Sequence, residues 1–118
     1  MRGLEGEAAA AEYLVSQGWT ILAHRFRMRR FEVDIVARRG QTVAFVEVKT
    51  RRGPGYGSPA EAVTWAKRRE ITRVAQAWID RFGQPTDIYR FDVIGIREDL
   101  PPGRRVEHIE DAFRPGWR

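Results

Sequence analysis

The segment Thr42–Thr50 reads Thr-Val-Ala-Phe-Val-Glu-Val-Lys-Thr. It is apolar on both faces for most of its length, the pattern of a strand covered above and below within a sheet. Two charged residues interrupt it. Glu47 and Lys49 stand two positions apart and therefore point to one face. Ionised groups in a central strand cost several kcal/mol unless they are paired or bound to a metal. A chain built on this segment needs helices on both sides of its sheet and an explanation for two buried charges.

The surrounding elements supply the helices. Leu4, Ala8, Ala11 and Val15 recur at helical spacing over Leu4–Gln17, and Gly18 provides a C′ stop. Thr20–Met28 is mixed in alternation and rich in arginine, as an exposed strand would be. Phe31–Arg38 alternates more clearly, and the short turn Arg39-Gly40 predicts an antiparallel hairpin with Thr42–Thr50. A basic, glycine-rich loop follows over Arg51–Ser58. Ser58-Pro59-Ala60-Glu61 then reads as a capping box opening one helix that runs to Phe82, with Gly83 and Pro85 ending it. Tyr89–Ile96 is another strand, Pro101-Pro102-Gly103 a turn, and Arg105–Ile109 a weaker strand. The order predicts an α/β fold, a small mixed β-sheet flanked by helices, with Thr42–Thr50 and Tyr89–Ile96 parallel across a right-handed crossover.

Composition narrows the class. With 118 residues, 42% of them hydrophobic and 31% charged, the chain fits one domain, residues 1–118, and is neither fibrous nor disordered. The absence of cysteine removes disulfides, thiolate metal sites and cysteine nucleophiles. No apolar run approaches the ~20 residues that span a bilayer, so no membrane association is expected. The opening Met-Arg-Gly-Leu-Glu-Gly-Glu lacks an apolar signal core, which points to a cytoplasmic protein. Of the 21 basic residues, 19 are arginine and two are lysine, Lys49 and Lys67. Lysine offers a compact point charge that can lose its proton, whereas arginine needs room for a planar fork. The two lysines are either chance survivors or positions arginine cannot fill.

Charged residues converge where the elements meet. With a loop at Arg39-Gly40, Asp34 is expected opposite Phe45 and Glu32 opposite Glu47, which sets Asp34 diagonally beside Glu47 at about 7–8 Å. Glu7 lies at the edge of the first helix's apolar stripe, where it also suits the helix dipole. Lys67 projects into the middle of the second helix's stripe, formed by Val63, Ile71, Val74, Trp78 and Phe82, while Arg68 and Arg69 point away. Two carboxylates and a backbone carbonyl, that of Val48, make a hard oxygen site suited to Mg²⁺ or Mn²⁺. Such an ion lowers the pKa of its water and stabilises phosphoryl charge, with Lys49 beside it. A buried ion cluster without catalysis is the other reading of the same residues.

Asp34 followed by Glu47-Val48-Lys49 resembles the D…(D/E)xK signature of restriction-endonuclease-like nucleases, whose core has this α-β-β-β-α-β order. More narrowly, Gly6-Glu7, Glu32-Val33-Asp34-Ile35-Val36, Phe45 to Arg51, Lys67, Arg90-Phe91-Asp92-Val93 and His108 to Phe113 resemble the bacterial YraN-like family of predicted endonucleases, akin to Holliday-junction resolvases. The resemblance implies Asp34 and Glu47 as metal ligands, Lys49 as the catalytic lysine, Glu7 as an auxiliary acid and Lys67 as a family lysine. Val33 stands where the wider superfamily often has proline, and His24 and Phe31 replace an expected Asn and Gly.

A basic protein with a metal site implies a polyanionic partner, nucleic acid and most naturally DNA. Arg25, Arg27, Arg29 and Arg30 flank the hairpin, and Arg51 and Arg52 leave the central strand directly. These can follow phosphates, while Tyr56 can stack on a base. No base-reading motif is present, so structure-selective recognition of branched or single-stranded DNA is expected. The competing expectations are a non-catalytic nucleic-acid-binding protein and a member of a processing complex. An exposed Trp65 beside other apolar groups would favour a homodimer.

Overall fold

The computed structural model describes residues 2–55 and 57–115, with side chains from residue 5 onward. Its elements run α1 (Arg2–Ser16), β1 (Thr20–Met28), β2 (Phe31–Arg39), β3 (Thr42–Arg51), α2 (Trp65–Phe82), β4 (Ile88–Arg97) and β5 (Val106–Phe113). The five strands form one sheet in the order β1-β2-β3-β4-β5. β3 and β4 are parallel and every other neighbouring pair is antiparallel. The α/β architecture expected from the order of elements is the one observed.

β3 is central because it is apolar on both faces, and each face meets its own helix. Ala44 and Val46 pack with Ala10 and Leu14 of α1, whereas Val43 and Phe45 pack with Ile71, Val74 and Trp78 of α2. Glu47 and Lys49 share the α2 face with Phe45. Close approach on the other face depends on Gly6, where a Cβ would collide with the Thr50 hydroxyl. On the α2 face Gly95, paired with Lys49, leaves room for Pro59.

Three local expectations are corrected. The β2–β3 loop is Gly40-Gln41, because Gly40 adopts φ +62° and takes the first turn position. The register is accordingly two residues away from the expected one: Val36 faces Phe45 and Ile35 faces Val46. Continuing one step sets Asp34 across from Glu47, and Glu32 instead turns to Arg27 at 2.7 Å. The expected single helix from Ser58 is also two elements. The Ser58–Glu61 capping box forms, but it caps a short 3₁₀ turn over Pro59–Ala62. Extended backbone at Val63 and Thr64 then ends that turn, and the Thr64 side chain accepts from Lys67 N–H to start α2 afresh. Two β-branched residues in succession favour this break over a continuous helix. Finally, β5 extends to Phe113 rather than Ile109, because Phe113 stacks on Phe91 with ring centroids 5.1 Å apart.

Candidate functional site

The site begins at a fault in the sheet. Along β2, Val33 and Val36 pack toward α2 while Ile35 and Ala37 pack toward α1, so the alternation slips at Asp34. On β1 the residue across from it, Arg25, has φ +50°, a left-handed conformation uncommon outside glycine. The β1–β2 ladder pairs His24 with Ile35 and Phe26 with Val33 around this point. The fault frees the Asp34 carboxylate, which enters the gap between strands and accepts the Val48 N–H at 2.8 Å. A side chain thus replaces a ladder hydrogen bond. The N–H and C=O of one strand residue point the same way, so the Val48 carbonyl faces the same gap.

Glu47 is the centre of this gap. It is only 5% exposed, and its Oε1 is buried with no hydrogen-bond partner among the described residues. Its Oε2 faces both lysines, Lys49 Nζ at 3.6 Å and Lys67 Nζ at 3.8 Å. The two lysines come from β3 and from the first turn of α2. Burial, reinforced by the Asp34 carboxylate, pushes Glu47 up to about 7 against the pull of Lys67 and Lys49. Burial likewise raises Asp34, opposed by the Val48 N–H. Two acids whose ionisation is opposed in this way invite a cation.

Among the described residues no three His, Cys, Asp or Glu side chains gather as a ligand set. The donors available are the two carboxylates, the Val48 carbonyl and solvent. That set fits Mg²⁺ or Mn²⁺, which characteristically takes one or two carboxylates and completes its shell with water and substrate phosphate. The orphaned Glu47 Oε1 is the atom such an ion would satisfy.

Glu7 and the arginines are placed differently from one another. Glu7 lies on α1 and is clamped by Arg25, with Nε to Oε1 at 2.8 Å and Nη2 to Oε2 at 3.1 Å. Its charge acts on Asp34 through space, raising it, while its own hydrogen bonds go to Arg25. Arg51 ends β3 with its guanidinium 3.5 Å from the Gly57 carbonyl, and Arg52 is exposed in the following loop. Tyr56 lies outside the described residues. Arg68, expected in solvent, is half-buried: its Nε donates to the Val63 carbonyl at 3.0 Å. A groove of about 440 Å³, lined by Leu22, Phe26, Trp78 and Phe82 among others, includes none of the site residues.

A second buried charge was not foreseen. Asp92 of β4 is fully buried, and it accepts from Arg90 Nε and Nη2, from His108 Nε2 at 2.7 Å and from the Asp111 N–H at 3.0 Å. Because the carboxylate only accepts, His108 carries its proton on Nε2, and Nδ1 meets the Tyr13 hydroxyl at 3.2 Å. The available signal was an acid inside the apolar run Tyr89–Ile96.

Fold and site together define a mixed α/β protein in which a buried Glu47 and a half-buried Asp34 lie beside two lysines. Comparison with known proteins supplies the family. The chain belongs to the uncharacterised protein family UPF0102, whose family model matches residues 6–96. It is similar to a UPF0102 protein of Geobacter sulfurreducens, 50% identical over 111 residues that cover 94% of this chain and 87% of that one. A UPF0102 protein of Rhodococcus jostii is 47% identical, and one of Symbiobacterium thermophilum 46%, each match covering 94% of both chains.

Proposed function

We propose that this protein is a divalent-metal-dependent nuclease that hydrolyses DNA phosphodiester bonds, with a preference for branched or single-stranded structure. The observation that carries the reading is Glu47: buried, with one oxygen unpartnered and the other facing two lysines, across from Asp34. The likeness of Asp34 and Glu47-Val48-Lys49 to the restriction-endonuclease-like signature supports it. Asp34, Glu47 and the Val48 carbonyl would hold the ion. A bound Mg²⁺ or Mn²⁺ supplies Lewis-acid stabilisation of a phosphate oxygen and a more acidic water.

The protein's own groups divide the remaining work. Lys49 orients the attacking water or offsets charge gathering on the phosphate. Lys67 holds the second ammonium at the same carboxylate, so neither lysine is consumed by the pair alone. The Val48 N–H fixes Asp34 in the gap. Glu7, neutralised by Arg25, tunes the field from α1 rather than reaching the reacting atoms. Arg27, Arg29 and Arg30 at the β1–β2 turn lie at the same end of the sheet as Arg51 and Arg52, because β2 begins where β3 ends. This basic rim matches a polyanion.

The test incubates the protein with junction, flap, single-stranded and duplex DNA in Mg²⁺ or Mn²⁺. Cleavage should appear with metal and fall about 100-fold or more in Lys49→Ala and Asp34→Ala. Binding without cleavage under every metal, unchanged by either substitution, would replace the enzyme with a non-catalytic nucleic-acid-binding protein on the same scaffold.

A further inference from the structure

Trp65, the first residue of α2, is 73% exposed although it is the largest side-chain type in the protein. It is not loose. The Arg68 guanidinium sits 5.0 Å from the Trp65 ring centroid and 5.0 Å from that of Phe113. Arg68 is itself anchored, donating to the carbonyls of Val63 and Ala60. One face of the indole therefore rests on a pinned cation while the rest stands in solvent. A groove of about 280 Å³ adjoins it, and the charged side chains lining this groove are Arg68, Arg69, Arg73 and Arg114. Among the described residues no carboxylate lines it. Glu70 opens instead onto the far side of Arg69 and Arg73, and Arg114 reaches Asp111 at 2.6 Å.

An apolar interface with a second copy would place these arginines against their own counterparts. A nucleic-acid strand satisfies both features at once, since a base has a π-face for the indole and a phosphate for each arginine. The first turn of α2 also links this platform to the site. Lys67 faces Glu47, and Trp65, two residues earlier, projects about 200° away around the helix.

We propose that Trp65 is a stacking platform for an unpaired base, with Arg69 and Arg73 holding the flanking phosphates. This rests on the nucleic-acid reading above and adds to it a place for single-stranded DNA on the side of α2 turned away from Glu47. The platform selects unpaired nucleotides because a base within a duplex has no free face to offer.

Binding of a labelled thymidine oligonucleotide is measured by fluorescence anisotropy in chelator, where no cleavage occurs. Alongside run a fully abasic oligonucleotide of the same length and a blunt duplex. Trp65→Ala should weaken binding to the oligonucleotide by about 5- to 150-fold, the range for loss of one stacked base. Trp65→Phe should restore most of it. Binding of the abasic strand and the duplex should change less than about twofold with Trp65→Ala, since only phosphate contacts remain. Thermal unfolding of each variant establishes that it is folded. Equal binding of wild type and Trp65→Ala to the oligonucleotide overturns the platform while leaving a nucleic-acid partner in place. Failure of the wild type to bind any nucleic acid overturns both. A concentration-dependent dimer abolished by Trp65→Ala, with DNA binding intact, assigns the surface to self-association instead.

Discussion

At Glu47 three effects compete: burial and the Asp34 charge oppose ionisation, and two ammonium groups favour it. The first two win, so the folded protein holds a proton there that the unfolded chain has released. Stability of the metal-free protein should therefore fall as pH rises from the ordinary value of 4.5 to about 7, where the folded carboxyl titrates. The loss is up to about 3 kcal/mol, from the size of that shift. Glu47→Gln should flatten this dependence and melt higher than wild type at pH 8, as followed by thermal unfolding. A variant that melts lower at pH 8 would show that the lysines already compensate the charge. Both lysines of this arginine-rich chain approach one Glu47 oxygen, from different elements. Lys67→Arg should not preserve cleavage, because a planar fork does not fit where a point charge sits between two strands and a helix. Recovery of full activity in that variant would reduce Lys67 to a generic counter-charge.

The elements matter through where they begin and break. α2 starts at Thr64 and not at Ser58, and this restart sets Lys67 toward Glu47 and Trp65 toward solvent. Thr64→Ala removes the cap and should cost about 1 kcal/mol, with a proportionate loss of cleavage as the first turn frays. Denaturant unfolding against activity measures both. β4 and β5 are joined differently, through the buried Asp92. Burial would raise this carboxyl, but donation by His108, Arg90 and the Asp111 N–H outweighs it and holds the group below its ordinary value. Its contribution is therefore present above about pH 4 and is lost as pH falls through the folded pKa. Asp92→Ala strands Arg90 and should destabilise by about 3–5 kcal/mol, the cost of breaking a buried pair. Equilibrium unfolding at neutral pH reads this directly, and a change under 1 kcal/mol would mean that water takes the carboxylate's place.

For the molecule as a whole, the proposed metal site makes a prediction about global stability. An ion that binds only the folded site raises stability by RT ln(1 + [L]/Kd), about 2.7 kcal/mol at a hundredfold excess over Kd. Mg²⁺ or Mn²⁺ should accordingly raise the melting temperature of wild type, and Asp34→Asn should abolish the rise. An equal rise in both proteins would place the ion elsewhere. The basic rim around the β1–β2 turn and the start of the Arg51 loop belongs to the same scale, since no single arginine there marks a site. Collectively they should make DNA binding weaken steeply with salt.

Much of this molecule was legible in one dimension. Periodicity separated strands from helices, β3 declared itself central by being apolar on both faces, and the crossover helix required β3 and β4 to be parallel. Those readings depend on local spacing, which the chain carries with it. That Asp34 lies near Glu47 could also be read, because a register change of two residues keeps the two neighbours; that its carboxylate enters the gap between strands could not. The register itself, the slip of β2 at Asp34 and the left-handed backbone at Arg25 could not be read, since they arise from how two strands accommodate each other. Arg25 looked like one surface arginine among many until α1 brought Glu7 against it. The same holds for Lys67, whose place in an apolar stripe was visible but whose partner was not. A sequence can show that a charge is out of place; only packing of separate elements decides which atom it faces.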